Sequence, residues 1–362
     1  MSRKSRIYFA KVAFLAILIL SLLFSACSAE VTDSPPSSDL PVYSIHTEAQ
    51  NAFLTQSLSL SLLLIQGKEE LSRPLPIHLD LSDLSQDCTK VEVSESEDFS
   101  PALLFPVTEG QAEIYNLKIG TTYYYRAVEA DGRRSRTERF QTESIGPRNL
   151  YIDGVTNARD LGGYETALGR IRQGLLYRTA KLNQNKASTP TPLITEEGIK
   201  TMKEVLQVKS EIDLRKSENN EIGSLTGSVL GEGVHYYNLP MGYDNVLTEN
   251  EGALRDFFAL LADEKNYPIF FHCSIGTDRT GYSAFLILSL LGADTNVITK
   301  DYLFSNFGLI GGSRSASNVL GFSFFLALQK GSSPMEKAEN YLIKIGVTRE
   351  EIDSIRRIMI EA

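Results

Sequence analysis

Cysteine is scarce in this chain: Cys27, Cys88 and Cys273 are the only three in 362 residues. If Cys27 carries a modification, as argued below, the one remaining disulfide would join Cys88 to Cys273. That excludes a disulfide framework, and Cys88 reads as a small apolar packing residue. Positive charge is in deficit too, with 36 Lys and Arg against 45 Asp and Glu, a net charge of −9. Nucleic-acid binding needs a basic footprint, so that class is excluded, and any anionic substrate must be attracted locally. Metal-ligand spacings are missing. His46 and His78 stand alone, no second ligand accompanies either, and both read as structural. No metal and no cofactor are expected. What remains is 42% apolar and 22% charged, an ordinary globular composition at a length that accommodates two domains.

The informative segment is residues 272–281, His-Cys-Ser-Ile-Gly-Thr-Asp-Arg-Thr-Gly. Here Cys273 and Arg279 are separated by five residues, and Thr280 follows. A thiol attacks phosphorus only as the thiolate. Backbone amides of Ser274, Ile275, Gly276 and Thr277, in a loop that ends at a helix N-terminus, supply positive potential for thiolate and phosphoryl oxygens alike. Arg279 adds a planar fork for two of those oxygens, Thr280 a hydroxyl for the sulfur, and Gly276 a residue free to turn inward. The apolar run Tyr267–Phe271 before the loop reads as a buried strand. The run Tyr282–Leu291 after it, apolar nearly all round, reads as a buried helix ended by Gly292. The bland alternative is an inert Cys beside an unrelated Arg; spacing and flanks together argue against it. His272 is expected to orient the loop through backbone contacts.

At these residues the chain resembles the Cys-dependent protein tyrosine phosphatases, and more narrowly the secreted bacterial tyrosine/dual-specificity phosphatases that also take phosphoinositides. Asn157-Ala-Arg-Asp-Leu-Gly-Gly163 matches the signature of that group, and Leu176–Ala180, Ile212–Arg215, Asp301-Tyr302 and Ser305-Asn306 follow in the expected order. The resemblance covers about residues 146–362. It implies that Cys273 forms a phosphocysteine intermediate, that Arg279 binds the phosphoryl group, and that Arg159, Asp160, Asp213 and Arg215 line or brace the site. It also implies Asp278, inside the loop, as general acid, while other phosphatases of the superfamily place the acid about thirty residues upstream, here Asp244. One departure is Thr277, where the group often carries a Lys linked to extra phosphates of inositol lipids. The implied substrates are phosphotyrosine monoesters, extending to phosphoserine, phosphothreonine or phosphoinositides. The alternatives are a phytase-like inositol polyphosphatase, a non-catalytic phospholigand-binding surface module and, against Arg279-Thr280, a rhodanese-like sulfurtransferase.

The N-terminus reads as a targeting segment. Basic residues at 3, 4, 6 and 11 precede an apolar run from Val12 to Phe24, short for a spanning helix of about 20 residues. Phe24-Ser-Ala-Cys27 resembles a bacterial lipobox, which implies lipidation of Cys27 and an extracytoplasmic protein of the bacterial cell envelope held to the membrane. The expected organisation is a lipoprotein signal over 1–26, a Ser/Pro-rich tether over 27–41, an all-β sandwich over 42–145 and the catalytic domain over 146–362.

Within 42–145, alternating runs at 75–81, 90–93, 113–117, 122–129 and 137–142 read as strands, with Asp131-Gly132 as a hairpin turn. Leu117-x-x-Gly120-Thr-Thr-Tyr123 resembles the tyrosine-corner segment of fibronectin type III domains; no partner for this domain is implied. Beyond Pro147, strands at 174–177, 211–214 and 234–239 alternate with helices whose starts carry capping boxes, Thr248 with Glu251, Ser333 with Glu336 and Thr348 with Glu351. The pattern predicts an α/β domain with a central, mostly parallel sheet flanked by helices. Residues 307–330, Gly-rich then apolar, read either as a cover over the site or as a core helix.

Overall fold

A computed structural model describes residues 40–57, 73–85, 87–183, 193–216, 221–222, 225–242 and 249–361. Cys27, the apolar run 12–24, Asp244 and Thr248 lie outside the described residues. Pro41–Ala362 cluster as one compact unit.

The N-terminal part contains β1 (Val42–Tyr43), β2 (Ile77–Asp80), β3 (Cys88–Ser94), β4 (Leu103–Pro106), β5 (Gln111–Ile114), β6 (Thr122–Glu129) and β7 (Glu138–Thr142). Five of them form a sheet in the order β1-β7-β6-β3-β4, and β2 pairs antiparallel with β5. In β2, Ile77 and Leu79 are buried while His78 and Asp80 face out, the period-2 alternation of a half-buried strand. Both sheets feed one apolar cluster that includes Ile77, Leu79, Val91, Val93, Ile114, Tyr123 and Phe140. The Tyr123 hydroxyl accepts from the Lys118 amide at 2.8 Å, which ties the segment before β6 to that strand. One element escapes the sequence pattern: helix α1, Glu48–Thr55, begun by a Thr47/Gln50 capping box. It is too short to show helical periodicity, yet its Phe53 and Leu54 are buried.

The C-terminal part carries β8 (Arg148–Asn149), β9 (Arg159–Asp160), the small hairpin β10 (Glu165–Thr166) and β11 (Gly169–Arg170), then β12 (Leu176–Thr179), β13 (Ser210–Asp213), β14 (His235–Asn238) and β15 (Ile269–His272). The six-stranded sheet runs β14-β13-β15-β12-β9-β8. Four neighbouring strands, β14, β13, β15 and β12, are parallel, and β9 and β8 turn antiparallel at the edge. His272 stands in register with both Thr179 and Asp213. Three strands therefore end side by side at their C-terminal edge, where ligands of open α/β sheets bind.

Eight α-helices are described. After α1 come α2 (Glu196–Lys200), α3 (Glu251–Ala262), α4 (Asp278–Leu290), α5 (Thr295–Phe304), α6 (Ala316–Ala327), α7 (Pro334–Lys344) and α8 (Arg349–Met359). Thr348 and Glu351 form the capping box the sequence predicts; Ser333 accepts from the Glu336 amide, but the Glu336 carboxylate turns to Ser332 instead of closing the box. Helix α3 instead starts at Glu251 with Asn250 as N-cap. Helix α4 is buried at every residue from Arg279 to Leu290, as expected of a helix without a polar face. It ends before Gly292, whose φ is +78°.

Candidate active site

The loop from β15 into α4 turns sharply at Gly276, where φ is +69° and a Cβ would lie 2.3 Å from the Thr179 carbonyl oxygen. Four successive loop carbonyls are held by groups behind the loop. His272 Nδ1 lies 3.1 Å from the Cys273 oxygen, and the Lys181 amide donates to the Ser274 oxygen at 3.3 Å. Asn157 Nδ2 donates to the Ile275 oxygen at 2.9 Å, and an Arg178 Nη to the Gly276 oxygen at 2.9 Å. Within a trans peptide the carbonyl and the next N–H point opposite ways. Holding these four carbonyls outward turns the amides of Ser274, Ile275, Gly276 and Thr277 inward, as an anion cradle requires.

The cradle rests on buried charge. Arg159, Arg178, Arg215 and Arg279 are among the largest fully buried side chains. Asp301, on α5, takes Arg159 Nε at 2.9 Å on one oxygen and an Arg178 Nη at 2.5 Å on the other. Burial raises the Asp301 pKa, but the two guanidiniums outweigh it and the carboxyl is held below the ordinary aspartate range. Arg178 is pushed down to about 10, by burial and then by neighbouring Arg159. Arg159 also donates to Asn157 Oδ1 at 2.6 Å, so the Asn157–Gly163 segment orients the side chain that holds Ile275. On the other side Arg215 forks onto Asp213 at 2.9 and 2.6 Å. His272 Nε2 lies 2.9 Å from Glu211. Burial lowers the His272 pKa, while Asp213 and Glu211 raise it by more. Glu211, Asp213 and His272 are the one group of potential metal ligands among the described residues, and their contacts with one another and with Arg215 make it an ion-pair network.

Above this base lies Cys273, fully buried. Burial pushes its thiol up. The Arg279 guanidinium, the Thr280 hydroxyl and the amides of Thr280 and Ile275 outweigh that, so its pKa is lowered. Glu221 supplies an unexpected contact: its two oxygens take the two Nη atoms of Arg279 at 2.7 and 2.8 Å, and one also accepts from the Ser274 hydroxyl at 3.2 Å. Asp278, the first residue of α4, meets Arg314 and Tyr302.

Not every candidate meets the loop. Asp160 binds Arg148 at 2.9 Å and the amides of Gly162 and Gly174, none of them loop residues. Arg148 also donates to the carbonyls of Leu117 and Asn116, so Asp160 serves the seam with the N-terminal sheets. The Thr277 side chain is buried and lies 3.3 Å from Asn157 Nδ2; it contributes its amide alone. Helix α6 covers neighbouring helices with one face, Phe322 lying against Tyr282, Phe285 and Tyr302 and Phe325 against Tyr341. Its Leu320 and Phe324 are 64% and 68% exposed while Val319 and Leu326 are buried, so one face packs on the core and the other is open.

A cysteine of lowered pKa under a ring of amides, six residues before an arginine at a helix start, defines a cysteine-based phosphate-binding centre. The chain belongs to the tyrosine phosphatase family, whose model matches residues 150–361, well over half of its length. It is 27% identical over 188 residues to a provisionally named tyrosine-protein phosphatase of Cupriavidus necator, covering 44% of this chain and 64% of that one. It is 36% identical over 90 residues to the triple specificity protein phosphatase PtpB of Mycobacterium tuberculosis, covering 24% and 31%. The chain thus spans under two thirds of the length of either relative. Among solved structures it is similar to the catalytic core of the Saccharomyces cerevisiae PP-IP phosphatase SIW14, at 18% identity and a TM-score of 0.29, covering 46% of this chain and 85% of that one; an overlap so loose adds no weight.

Proposed function

We propose that this protein is a metal-independent phosphatase that cleaves phosphotyrosine monoesters, its range extending to phosphoserine, phosphothreonine or phosphoinositide esters. The observation that carries it is the Cys273 thiol of lowered pKa facing the amides of residues 274–277 and the Arg279 fork. Cys273 attacks phosphorus while the ester P–O bond breaks, and Asp278 gives its proton to the leaving oxygen. Water then attacks the phosphocysteine, Asp278 recovers a proton, and the thiolate departs. Arg279, its Nη atoms exchanging the Glu221 carboxylate for phosphoryl oxygens, and the amides stabilise the charge on the equatorial oxygens. Asp278 is taken as the acid over Asp244 on the family resemblance, and Tyr302 and Arg314 hold its side chain at the start of α4. Arg159, Asp213 and Arg215 support the cradle from behind. Asp278→Asn should slow phosphotyrosine peptides by about 10²-fold or more and p-nitrophenyl phosphate, with its good leaving group, far less. Turnover that chelator abolishes, or an equal loss on both substrates, would contradict this reading. Thr277 turns to Asn157 and offers no cation to further phosphates, which disfavours an inositol polyphosphate as main substrate.

We also propose that residues 42–145 form a fibronectin type III-like sandwich, supported by the shared cluster of the two sheets and the Tyr123–Lys118 bond. The segment Phe24–Cys27 supports export, lipidation at Cys27 and membrane anchoring in the cell envelope. Cys27→Ala should abolish incorporation of labelled fatty acid; undiminished labelling would remove the anchor from the account.

A further inference from the structure

The segment entering α6 brings a charge to the loop carboxylate. Asn306 fixes its backbone, accepting from the Arg314 amide at 2.6 Å and donating to the Arg314 carbonyl at 2.9 Å. The Arg314 guanidinium then forks onto Asp278, Nε to Oδ1 at 2.9 Å and an Nη to Oδ2 at 2.8 Å. The Tyr302 hydroxyl reaches Oδ1 as well, at 3.1 Å. The two carboxylate oxygens are therefore unequal: Oδ1 has two described donors and Oδ2 one. The pair is part-buried, its side chains 22% and 27% exposed, and bidentate. A two-point contact of this kind fixes the direction of the carboxylate whatever it adds to the fold.

We infer that Arg314 and Tyr302 are positioning residues for the acid, anchoring Oδ1 of Asp278 so that Oδ2 carries the transferable proton. The inference rests on the assignment of Asp278 as general acid. When Oδ2 is protonated it gives up the Arg314 Nη, while Arg314 Nε and Tyr302 still hold Oδ1, so the carboxyl keeps its direction. The Oδ2–H proton passes to the leaving oxygen as the P–O bond breaks and the S–P bond forms. Oδ2 takes a proton back from the attacking water as the new O–P bond forms and the P–S bond breaks. Both steps balance with the residues present and water.

The test is turnover of aryl phosphates of graded leaving-group basicity by the full chain. Arg314→Ala should lose about tenfold or more on the poorest leaving groups, a fraction of the general-acid effect, and much less on p-nitrophenyl phosphate. Arg314→Lys, which keeps one donor and the charge, should recover part of the loss, and Tyr302→Phe should show the same slope more weakly. Arg314→Ala combined with Asp278→Asn should be no slower than Asp278→Asn alone, as for residues acting through one group. Equal losses across the series, or additive losses in the double variant, would overturn the inference. A flat response of Asp278→Asn would instead overturn the assignment of the acid, and this inference with it. A steep response of Asp278→Asn with a flat one for Arg314→Ala overturns the positioning role alone. Thermal melts of each variant separate these slopes from unfolding.

Discussion

Cys273→Ser should lose more than about 10⁴-fold in turnover, the scale seen when a covalent nucleophile is removed, yet still bind inorganic phosphate. The loop lowers the pKa of a thiol because Arg279, the Thr280 hydroxyl and amides outweigh the cost of burial. A serine hydroxyl starts far higher and stays protonated, so no attack follows. Binding survives because the inward amides depend on carbonyl contacts from Lys181, Asn157 and Arg178, none of which involves the sulfur. Calorimetric titration with phosphate, beside a turnover assay, checks both halves. Substantial turnover in the serine variant would place the nucleophile elsewhere, and loss of phosphate binding with the fold intact would refute the cradle.

Asp301→Asn should destabilise the protein by about 3–5 kcal/mol, the cost of stripping the partner from buried charge. Arg159 and Arg178 share this one carboxylate and are 1% and 0% exposed, so neither can turn to water. The pH dependence follows from the depressed Asp301 pKa. A carboxylate whose folded pKa lies below its unfolded value contributes fully above the unfolded value and loses that contribution as pH falls through the folded one. The gap between wild type and variant should therefore be widest near neutrality and narrow below about pH 4. Denaturant titrations at pH 7 and at acid pH measure it. A variant within 1 kcal/mol of wild type at pH 7 would mean that Arg159 and Arg178 find other partners.

The chemistry-bearing loop was legible because its information is local. Cys273, Gly276, Arg279 and Thr280 act at fixed chain spacing, and the apolar runs on either side reveal strand and helix by composition. The alternating strands β2 and β6 and the caps at Ser333 and Thr348 were readable for the same reason. Contacts between distant residues were not. Glu221 sits in a polar run that reads as solvated surface, and nothing in its neighbours announces that it meets Arg279, 58 residues on. Arg314 reaches Asp278 across 36 residues and is equally silent. Arg178 and Asp301 lay in segments that carried the family resemblance, but their mutual pairing needs the sheet and α5 assembled. Asp160 shows the converse: a family motif named it, and the fold uses it to hold Arg148. Helix α1 was missed because eight residues give too few turns to separate from loop, and strand β4, Leu-Leu-Phe-Pro, because it shows no apolar–polar alternation and ends in a proline.

Helix α1 separates ancestry from self-sufficiency. Phe53 and Leu54 belong to the same apolar cluster as Tyr302, Leu303, Phe304, Phe307 and Val319, and Lys300 Nζ donates to the carbonyls of Leu54 and Gln56 at 2.6 Å each. The segment shared with kin begins at residue 150, yet the helix that bears Asp301 and Tyr302 is finished by residues from a hundred positions earlier. Inheritance marked out one stretch of chain and cohesion another. A gene trimmed to the inherited stretch would strip the outer wall from the helix that steadies the arginines under the nucleophile, so the N-terminal part is masonry for the catalytic centre as well as whatever it reaches outside.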